Sequence, residues 1–186
     1  MTSARAAVYI ATSLDGFIAR LDGSLDWLPG ADGEPVAGSE TYDGDYGYAD
    51  FMASIDVLVM GRNTFDMVVS FGAWSYGATP VVVLTSRPVD IPADAAATVT
   101  TMSGSAVEIA EALGDQGHQR IYVDGANVIQ QFLAAGLVDD LTITRVPVVL
   151  GEGIALFGKT TLEIELRHVR TEGYPTGLTQ STYGIE

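Results

Sequence analysis

Four short apolar runs rich in β-branched residues place the strongest constraint on the fold of this chain. They span Ala6 to Thr12, Val57 to Met60, Val81 to Thr85 and Arg120 to Val123. Each run is too apolar to keep one face in water, which is typical of parallel strands that helices cover on both sides. We therefore predict that these runs are the central strands of an α/β domain.

Two of the segments between the strands have recognisable helix ends. Ser105 and Glu108 match a capping box, which predicts a helix from Ala106 to Leu113 that Gly114 stops. A second helix is predicted from about Asn127 to Ala135, because its apolar residues recur on one helical face.

Weaker patterns predict a helix near Tyr46 to Ser54 and a short one after Asn63. The sequence pattern changes after Gly136, where predicted strands follow one another without helices between them. These C-terminal strands are predicted at Leu141 to Arg145, Leu162 to Arg170 and Gly177 to Gly184. The sheet is therefore expected to end antiparallel.

Composition limits the class of protein. The chain has 186 residues, no cysteine and a formal net charge of −15. This length suits one domain over residues 1–186, and the acidity argues against nucleic acid as a partner. With no membrane-length apolar run and no export signal, we expect a cytoplasmic protein.

Several chemistries are disfavoured by the motifs that the sequence lacks. It has no G-x-S-x-G, H-E-x-x-H or Walker A motif, and His118 and His168 lie far apart. Hydrolase triads and metal sites are therefore not expected. Gly151-Glu152-Gly153 has no helix pattern after it and is interpreted as a turn.

Polar segments follow three of the predicted central strands. They are Gly61-Arg62-Asn63-Thr64, Thr85-Ser86-Arg87-Pro88 and Asp124-Gly125-Ala126-Asn127. The carboxyl ends of parallel strands are the usual ligand edge of an open α/β sheet, and helix N-termini there can bind phosphate. Singly, each segment is as well explained by an ordinary surface turn; together they indicate a phosphorylated cofactor.

The order of these segments resembles the dihydrofolate-reductase-like superfamily, most closely its riboflavin biosynthesis reductase branch, which is RibD C-terminal domain-like. The resemblance covers nearly the whole chain. It implies an α/β three-layer fold with a mostly parallel central sheet, antiparallel C-terminal strands and helices on both faces.

The resemblance implies NADPH as the cofactor. Met60-Gly61-Arg62-Asn63-Thr64-Phe65 is similar to the family's signature for the 2′-phosphate and pyrophosphate, and Leu84-Thr85-Ser86-Arg87 is similar to its adenosine site. Tyr9 to Ala19 resembles the strand and loop that contact the nicotinamide. The implied cofactor-binding residues are Ala11, Ile18, Gly61, Arg62, Asn63, Thr64, Leu84, Thr85, Ser86, Arg87, Val123, Asp124, Gly125, Ala126, Asn127 and Val128.

A substrate pocket is implied by further segments. Asp26-Trp27-Leu28-Pro29 resembles the Trp-x-Leu-Pro stretch of the family, and Thr144 matches a threonine beside the substrate. Within Asp22 to Gly47, a long loop typical of active sites, and just after it, aromatic residues could contact a flat heterocycle. The expected pocket residues are Trp27, Tyr48, Phe51 and Thr144.

Asp15 is the first candidate for a polar substrate contact. Ser13-Leu14-Asp15-Gly16 resembles the Ser-x-Asp-Gly of riboflavin-pathway reductases, which makes Asp15 the candidate catalytic residue. The alternative, equally consistent with one aspartate, is a turn-forming residue before Gly16.

Two departures from the family pattern bear on function. Asp124 stands where the family usually has the first glycine of a pair, which brings a carboxylate close to the phosphates. The helix carboxylate of dihydrofolate reductases has no counterpart, since its place falls near Gly47 or Tyr48, with Asp32 and Asp50 out of register. Classical dihydrofolate reduction is therefore disfavoured.

The implied activity is hydride transfer from NADPH to a C=N or C=O bond of a pterin or a ribosylaminouracil-like substrate. The alternative is a non-catalytic NADP-binding or regulatory module on the same fold. The resemblance also implies a homodimer, and Leu141 to Leu150, with Pro147 inside it, is expected to be an edge or near-edge strand that a partner covers.

Overall fold

The computed structural model describes residues 4–28, 42–158 and 163–185. The chain divides into two compact units, the first formed by Met1–Ala7 and Ser54–Val138 and the second by Val8–Ala53 and Asp139–Glu186. The helices and strands, numbered in chain order, are β1 (Arg5–Thr12), β2 (Phe17–Ala19), α1 (Tyr48–Ala53), β3 (Val57–Gly61), α2 (Arg62–Ser70), β4 (Val81–Leu84), β5 (Val99–Met102), α3 (Ala106–Asp115), β6 (Arg120–Asp124), α4 (Ala126–Ala134), β7 (Val138–Arg145), β8 (Ile154–Ala155), β9 (Leu166–Gly173) and β10 (Thr179–Ile185).

The described residues form a mixed sheet of eight strands and a small pair of strands. The large sheet has the order β5-β4-β3-β6-β1-β7-β10-β9, and β2 pairs with β8. The sheet is mostly parallel, and its C-terminal strands are antiparallel. The predicted fold class is confirmed, and all four predicted central strands have neighbours on both sides.

The first unit is built on the parallel strands β5, β4, β3 and β6. Nearly every residue of β3, β4 and β6 is buried, because helices pack on strands that have no wet face. In α4 the buried side chains, including Val128, Ile129 and Phe132, follow a helical period. The capping box predicted at Ser105 and Glu108 is present at the start of α3.

The second unit contains the antiparallel strands β7, β10 and β9. Here the expectation of an edge or near-edge strand at Leu141 to Leu150 is wrong, because two further strands, β10 and β9, lie outside β7 in the sheet. Residues 141–144 are buried for this reason, and Pro147 follows the end of the strand at Arg145. The edge strand on this side is β9.

A few element bounds differ from the sequence prediction. Helix α3 continues through Gly114 to Asp115, since one glycine near a helix end costs only about 1 kcal/mol. Strand β5 was not predicted, because its two threonines are exposed and weaken the apolar pattern. Leu162, Pro29 and Asp32 lie outside the described residues. In the part of the chain that is described, no helix is both long enough and apolar enough to cross a membrane.

Candidate functional site

Three strand ends in the first unit bring the predicted cofactor segments to one edge of the sheet. In the parallel register Gly61 of β3 lies beside Leu84 of β4, and Met60 lies beside Asp124 of β6. The loops that follow these residues therefore leave the sheet next to one another. The residues predicted for the cofactor phosphates and adenosine are brought together in this way.

Two helices begin at this edge without a side-chain cap. Helix α2 starts after Gly61 and helix α4 starts after Gly125, and neither of these N-cap residues supplies a side-chain hydrogen bond. A β-carbon on Gly61 would lie 3.5 Å from a methyl group of Val128, so the two helix starts are close. The first N–H groups of a helix have no partner within the helix and favour an anion. Asn63 and Asn127 are exposed on these first turns.

Gly125 has a backbone conformation that favours glycine. Its φ is 85° and its ψ is 137°, and a β-carbon there would collide with the hydroxyl oxygen of Thr64. Substitution of Gly125 therefore disturbs the contact between the starts of α2 and α4 whether or not a ligand is bound.

Asp124 is the last residue of β6, and its carboxylate is held by its own neighbour. One carboxylate oxygen accepts a hydrogen bond of 2.7 Å from the N–H of Gly125. Burial raises the pKa of Asp124 to about 6, while this hydrogen bond lowers it in part. Asp124 does not cap α4, whose N-cap is Gly125. The negative charge of a phosphate bound beside Asp124 would raise this pKa further.

The two arginines at this edge differ in how fully they are engaged. The Nε of Arg62 donates to both oxygens of Asp66 at 2.7 and 2.8 Å, and its Nη1 donates to the carbonyl of Pro88 at 2.8 Å. Arg62 therefore ties the start of α2 to the loop after β4. Arg87 is exposed, and its guanidinium has no hydrogen bond or ion pair with any residue that the structure describes.

The loop after β4 forms a local turn around Arg87. The hydroxyl oxygen of Thr85 accepts from the N–H of Arg87 at 3.1 Å and lies 3.2 Å from its carbonyl oxygen. Ser86 is exposed between them. This turn presents the Ser86 hydroxyl and the Arg87 guanidinium to solvent, a pairing suited to a phosphate monoester.

In the second unit a buried glutamine joins the predicted pocket residue Thr144 to two tyrosines. Gln180 is 3% exposed and lies directly opposite Thr144 in the pairing of β10 with β7. Its Nε2 lies 3.0 Å from the Thr144 hydroxyl, 2.9 Å from the Tyr9 hydroxyl and 3.1 Å from the Tyr46 carbonyl. Sequence reasoning missed Gln180, whose role is visible only once the register of β7 and β10 is known.

Tyr9 and Tyr46 complete this network. The Tyr9 hydroxyl donates to the carbonyl of Tyr46 at 2.8 Å. Burial raises the pKa of the Tyr9 phenol, and the hydrogen bond from Gln180 lowers it in part. Tyr46 has a φ of 59°, a left-handed conformation that is rare for a tyrosine, and the two bonds to its carbonyl hold it there.

Aromatic rings cluster around this network. Tyr9 packs against Tyr48 and Phe51 with ring centroids 5.5 and 5.0 Å apart. Tyr46 packs on Tyr174 with centroids 4.8 Å apart. The predicted pocket residues Tyr48, Phe51 and Thr144 are therefore brought together, and these rings offer flat apolar surfaces to a heterocycle.

Trp27 places a buried polar atom in the second unit. Its indole N–H makes no hydrogen bond with the described residues, as is also true of the indole N–H of Trp74. Ala11 and Ile18 are half-buried in this unit, on β1 and β2.

Asp15 has its carboxylate fully engaged within the second unit. It accepts hydrogen bonds from the hydroxyl of Ser13 at 2.7 Å and from the N–H groups of Leu150 and Gly151 at 3.1 and 2.8 Å. The Ser13 hydroxyl and these N–H groups lower the pKa of Asp15. These bonds tie the loop after β1 to the bend at Leu150 to Gly153.

Comparison with known proteins identifies relatives along nearly the full length. The family described as the RibD C-terminal domain matches residues 7–179. The protein YwjB of Bacillus subtilis (strain 168), which is uncharacterised, is 35% identical over 164 residues, 88% of each chain.

Solved structures are similar as well. A protein of Shewanella sp. PV-4, provisionally assigned to riboflavin biosynthesis, has a TM-score of 0.86 and 38% identity, covering 98% of this chain and 99% of that one. Dihydrofolate reductase from Enterococcus faecalis, complexed with NADP(H), has a TM-score of 0.65 and 21% identity, covering 100% and 98%. The second likeness is one of fold.

Proposed function

Because the chain belongs to the family of the RibD C-terminal domain, we propose that it is an NADPH-dependent reductase of a small heterocyclic substrate. The reaction is hydride transfer to a C=N or C=O bond of a pterin or a ribosylaminouracil-like compound. The observation that carries the proposal is the pair of uncapped helix starts at Gly61 and Gly125 on one edge of the sheet.

The residues at this edge fit the phosphates of NADPH. The first N–H groups of α2 and α4 would hold the pyrophosphate, because both helix starts lack a cap and lie close together. Arg87 and Ser86 would hold the 2′-phosphate, with Arg62 fixing the loop that carries them. When bound, NADPH supplies the hydride.

The second unit supplies what a flat heterocycle needs. Tyr48, Phe51 and Tyr9 offer aromatic faces, and Thr144 offers a hydroxyl. For hydride transfer, the protein has mainly to position the substrate against the nicotinamide and to exclude water. In this proposal these residues, with Trp27, orient the substrate, and Ala11 and Ile18 contact the nicotinamide.

Asp15 enters the proposal in a supporting role. Its three hydrogen bonds fix the loop between β1 and β2, the strands that carry Ala11 and Ile18. A catalytic role for Asp15 would require its carboxylate to exchange these bonds for the substrate. Cytoplasmic location and homodimer formation remain parts of the proposal that rest on the family resemblance.

One observation favours the second candidate, a non-catalytic NADP-binding or regulatory module. The carboxylate of Asp15, the candidate catalytic group, is already engaged by Ser13, Leu150 and Gly151. The carboxylate of Asp124, whose pKa is about 6, would repel phosphate above that pH for either candidate.

The experiment that separates the two candidates uses the purified chain and NADPH deuterated at the transferred position. We expect NADPH consumption and deuterium in the product with at least one member of a panel of pterins, flavins and ribosylaminouracils. Tight NADPH binding with no transfer to any of them would favour the binding module.

A further inference from the structure

The orientation of the Gln180 side-chain amide is fixed by the Tyr46 carbonyl. This carbonyl lies 3.1 Å from Nε2 and can only accept, so the amide nitrogen must face it. The Tyr174 hydroxyl lies 3.5 Å from Oε1 and, since a phenol can donate, is compatible with this orientation. The reverse orientation would set Oε1 of Gln180 against the carbonyl oxygen of Tyr46.

This orientation decides how Thr144 is used. The amide nitrogen of Gln180 can only donate, so every oxygen bonded to it accepts. Of its three acceptors, the Tyr9 oxygen at 2.9 Å and the Thr144 oxygen at 3.0 Å are nearer than the Tyr46 carbonyl at 3.1 Å. Thr144 accepts this bond, and its own hydrogen has no acceptor among the described residues.

Thr142 is a neighbouring threonine whose hydroxyl, unlike that of Thr144, is paired with another hydroxyl. It lies two residues earlier on the same face of β7 and is buried to a similar degree, 6% exposed against 7%. Its hydroxyl is paired with that of Thr182 at 3.1 Å. A buried hydroxyl whose hydrogen has no protein acceptor is costly unless a ligand or water accepts it.

We propose that Gln180 is a positioning residue that makes the Thr144 hydroxyl a hydrogen-bond donor to the substrate, so that the pocket selects heterocycles presenting a carbonyl oxygen to it. This inference rests on the proposed function and assigns to Thr144 a ring carbonyl oxygen of the substrate, not an amino group. Amino-substituted rings would present a second donor to Thr144 and leave one hydrogen unpaired.

The test uses two probes with the same ring system, lumazine, which carries two carbonyl groups, and 2,4-diaminopteridine, which carries two amino groups instead. Dissociation constants are measured on the NADPH complex. We expect the wild type to prefer lumazine, and Thr144→Val to weaken lumazine binding about tenfold. Thr142→Val is the matched control and should leave lumazine binding within about twofold, because its hydroxyl is already paired.

Gln180→Glu tests the positioning role directly. A carboxylate at this position accepts from Thr144, so the hydroxyl would turn its lone pairs to the ligand. The ratio of the two affinities should then shift about tenfold toward 2,4-diaminopteridine, a change that simple loss of stability does not produce. Thr144→Ser should keep the wild-type ratio.

The possible failures are distinguishable. Equal losses of lumazine affinity in Thr144→Val and Thr142→Val would overturn the inference, as would an unchanged ratio in a folded Gln180→Glu variant. If Gln180→Glu does not fold, the two threonine variants still decide. Absence of NADPH binding in the wild type would instead overturn the proposed function itself, and NADPH binding without any lumazine binding would overturn the assignment of a ring carbonyl oxygen to Thr144.

Discussion

Thr64 and Gly125 meet where α2 and α4 begin: a β-carbon on Gly125 would collide with the hydroxyl oxygen of Thr64. The same glycine has a φ of 85°, so two independent features exclude a side chain there. The absence of a side chain at Gly125 therefore lets the two helix starts lie close together.

Gly125→Ala should therefore lower the free energy of unfolding more than Gly117→Ala, a substitution that is opposed by backbone strain alone. Gly117 is the matched control, with a φ of 95° and open space where its β-carbon would stand. Backbone strain costs on the order of 1 to 3 kcal/mol in either case, and the collision adds to it at Gly125. Urea denaturation checks this expectation.

Removing the obstacle should restore part of the lost stability. In the double variant Thr64→Ala with Gly125→Ala, the free energy of unfolding should exceed the value expected from adding the two single effects. Simple additivity would contradict the role given to this contact.

Asp124→Asn should change the pH dependence of stability. The folded pKa of Asp124, about 6, is raised above the unfolded value of 3.8, mainly by burial. Its contribution to stability is then fully present below 3.8 and is lost as the pH rises through about 6. Relative to the wild type, Asp124→Asn should gain stability over this window. Exposed Asp50 is the control, since Asp50→Asn removes the same charge at the surface.

The same substitution should affect cofactor binding. Above about pH 6 the wild-type carboxylate is ionised and repels phosphate, so Asp124→Asn should bind NADPH more tightly there. The advantage should shrink below that pH, where the wild-type group is protonated. A calorimetric titration at both ends of the range measures it, and weaker binding in Asp124→Asn throughout would show that the carboxylate assists the cofactor.

Arg87→Ala should lower the affinity for NADPH about tenfold and leave that for NADH nearly unchanged, because one charge-assisted contact to the 2′-phosphate is lost. Arg170→Ala, an exposed arginine on β9, removes the same charge away from the predicted cofactor residues. Equal effects of the two variants on NADPH would mean that Arg87 acts only through net charge.

Asp15→Asn should loosen the bend at Leu150 to Gly153. The pKa of Asp15 is lowered by the Ser13 hydroxyl and by the Leu150 and Gly151 N–H groups, so the folded state stabilises the ionised carboxylate. The clamp should be present above the unfolded value of 3.8 and weaken as the pH falls through the lower folded value. Faster amide exchange at Leu150 and Gly151 is expected. Unchanged exchange with a large loss of turnover would favour the catalytic assignment.

The sequence was informative where one local pattern decides the structure. Apolar β-branched runs predicted the central strands, and the pair Ser105 and Glu108 predicted a capping box that is present. The sequence also predicted that three polar segments meet at one edge, since parallel strands end at the same edge of a sheet. Its expectation of an edge or near-edge strand at Leu141 to Leu150 is contradicted by the observed strand order.

What could not be predicted depends on contacts between distant segments. Gln180 is 36 residues from Thr144 and 171 from Tyr9 along the chain, and only the pairing of β10 with β7 brings them together. The pairing of Asp15 with the N–H groups of Leu150 and Gly151 is of the same kind. The local sequence gives no signal for such pairs, because the pattern around a polar strand residue is the same whether water or a distant side chain is its hydrogen-bond partner.

The central claim is that the edge formed by Gly61, Arg87 and Gly125 binds NADPH, and a calorimetric titration of the unmodified chain with NADPH and with NADH tests it most directly. The account predicts that NADPH binds about tenfold or more tightly than NADH, from at least one charge-assisted contact to the 2′-phosphate. Equal affinities for the two, or no binding of either, would contradict it.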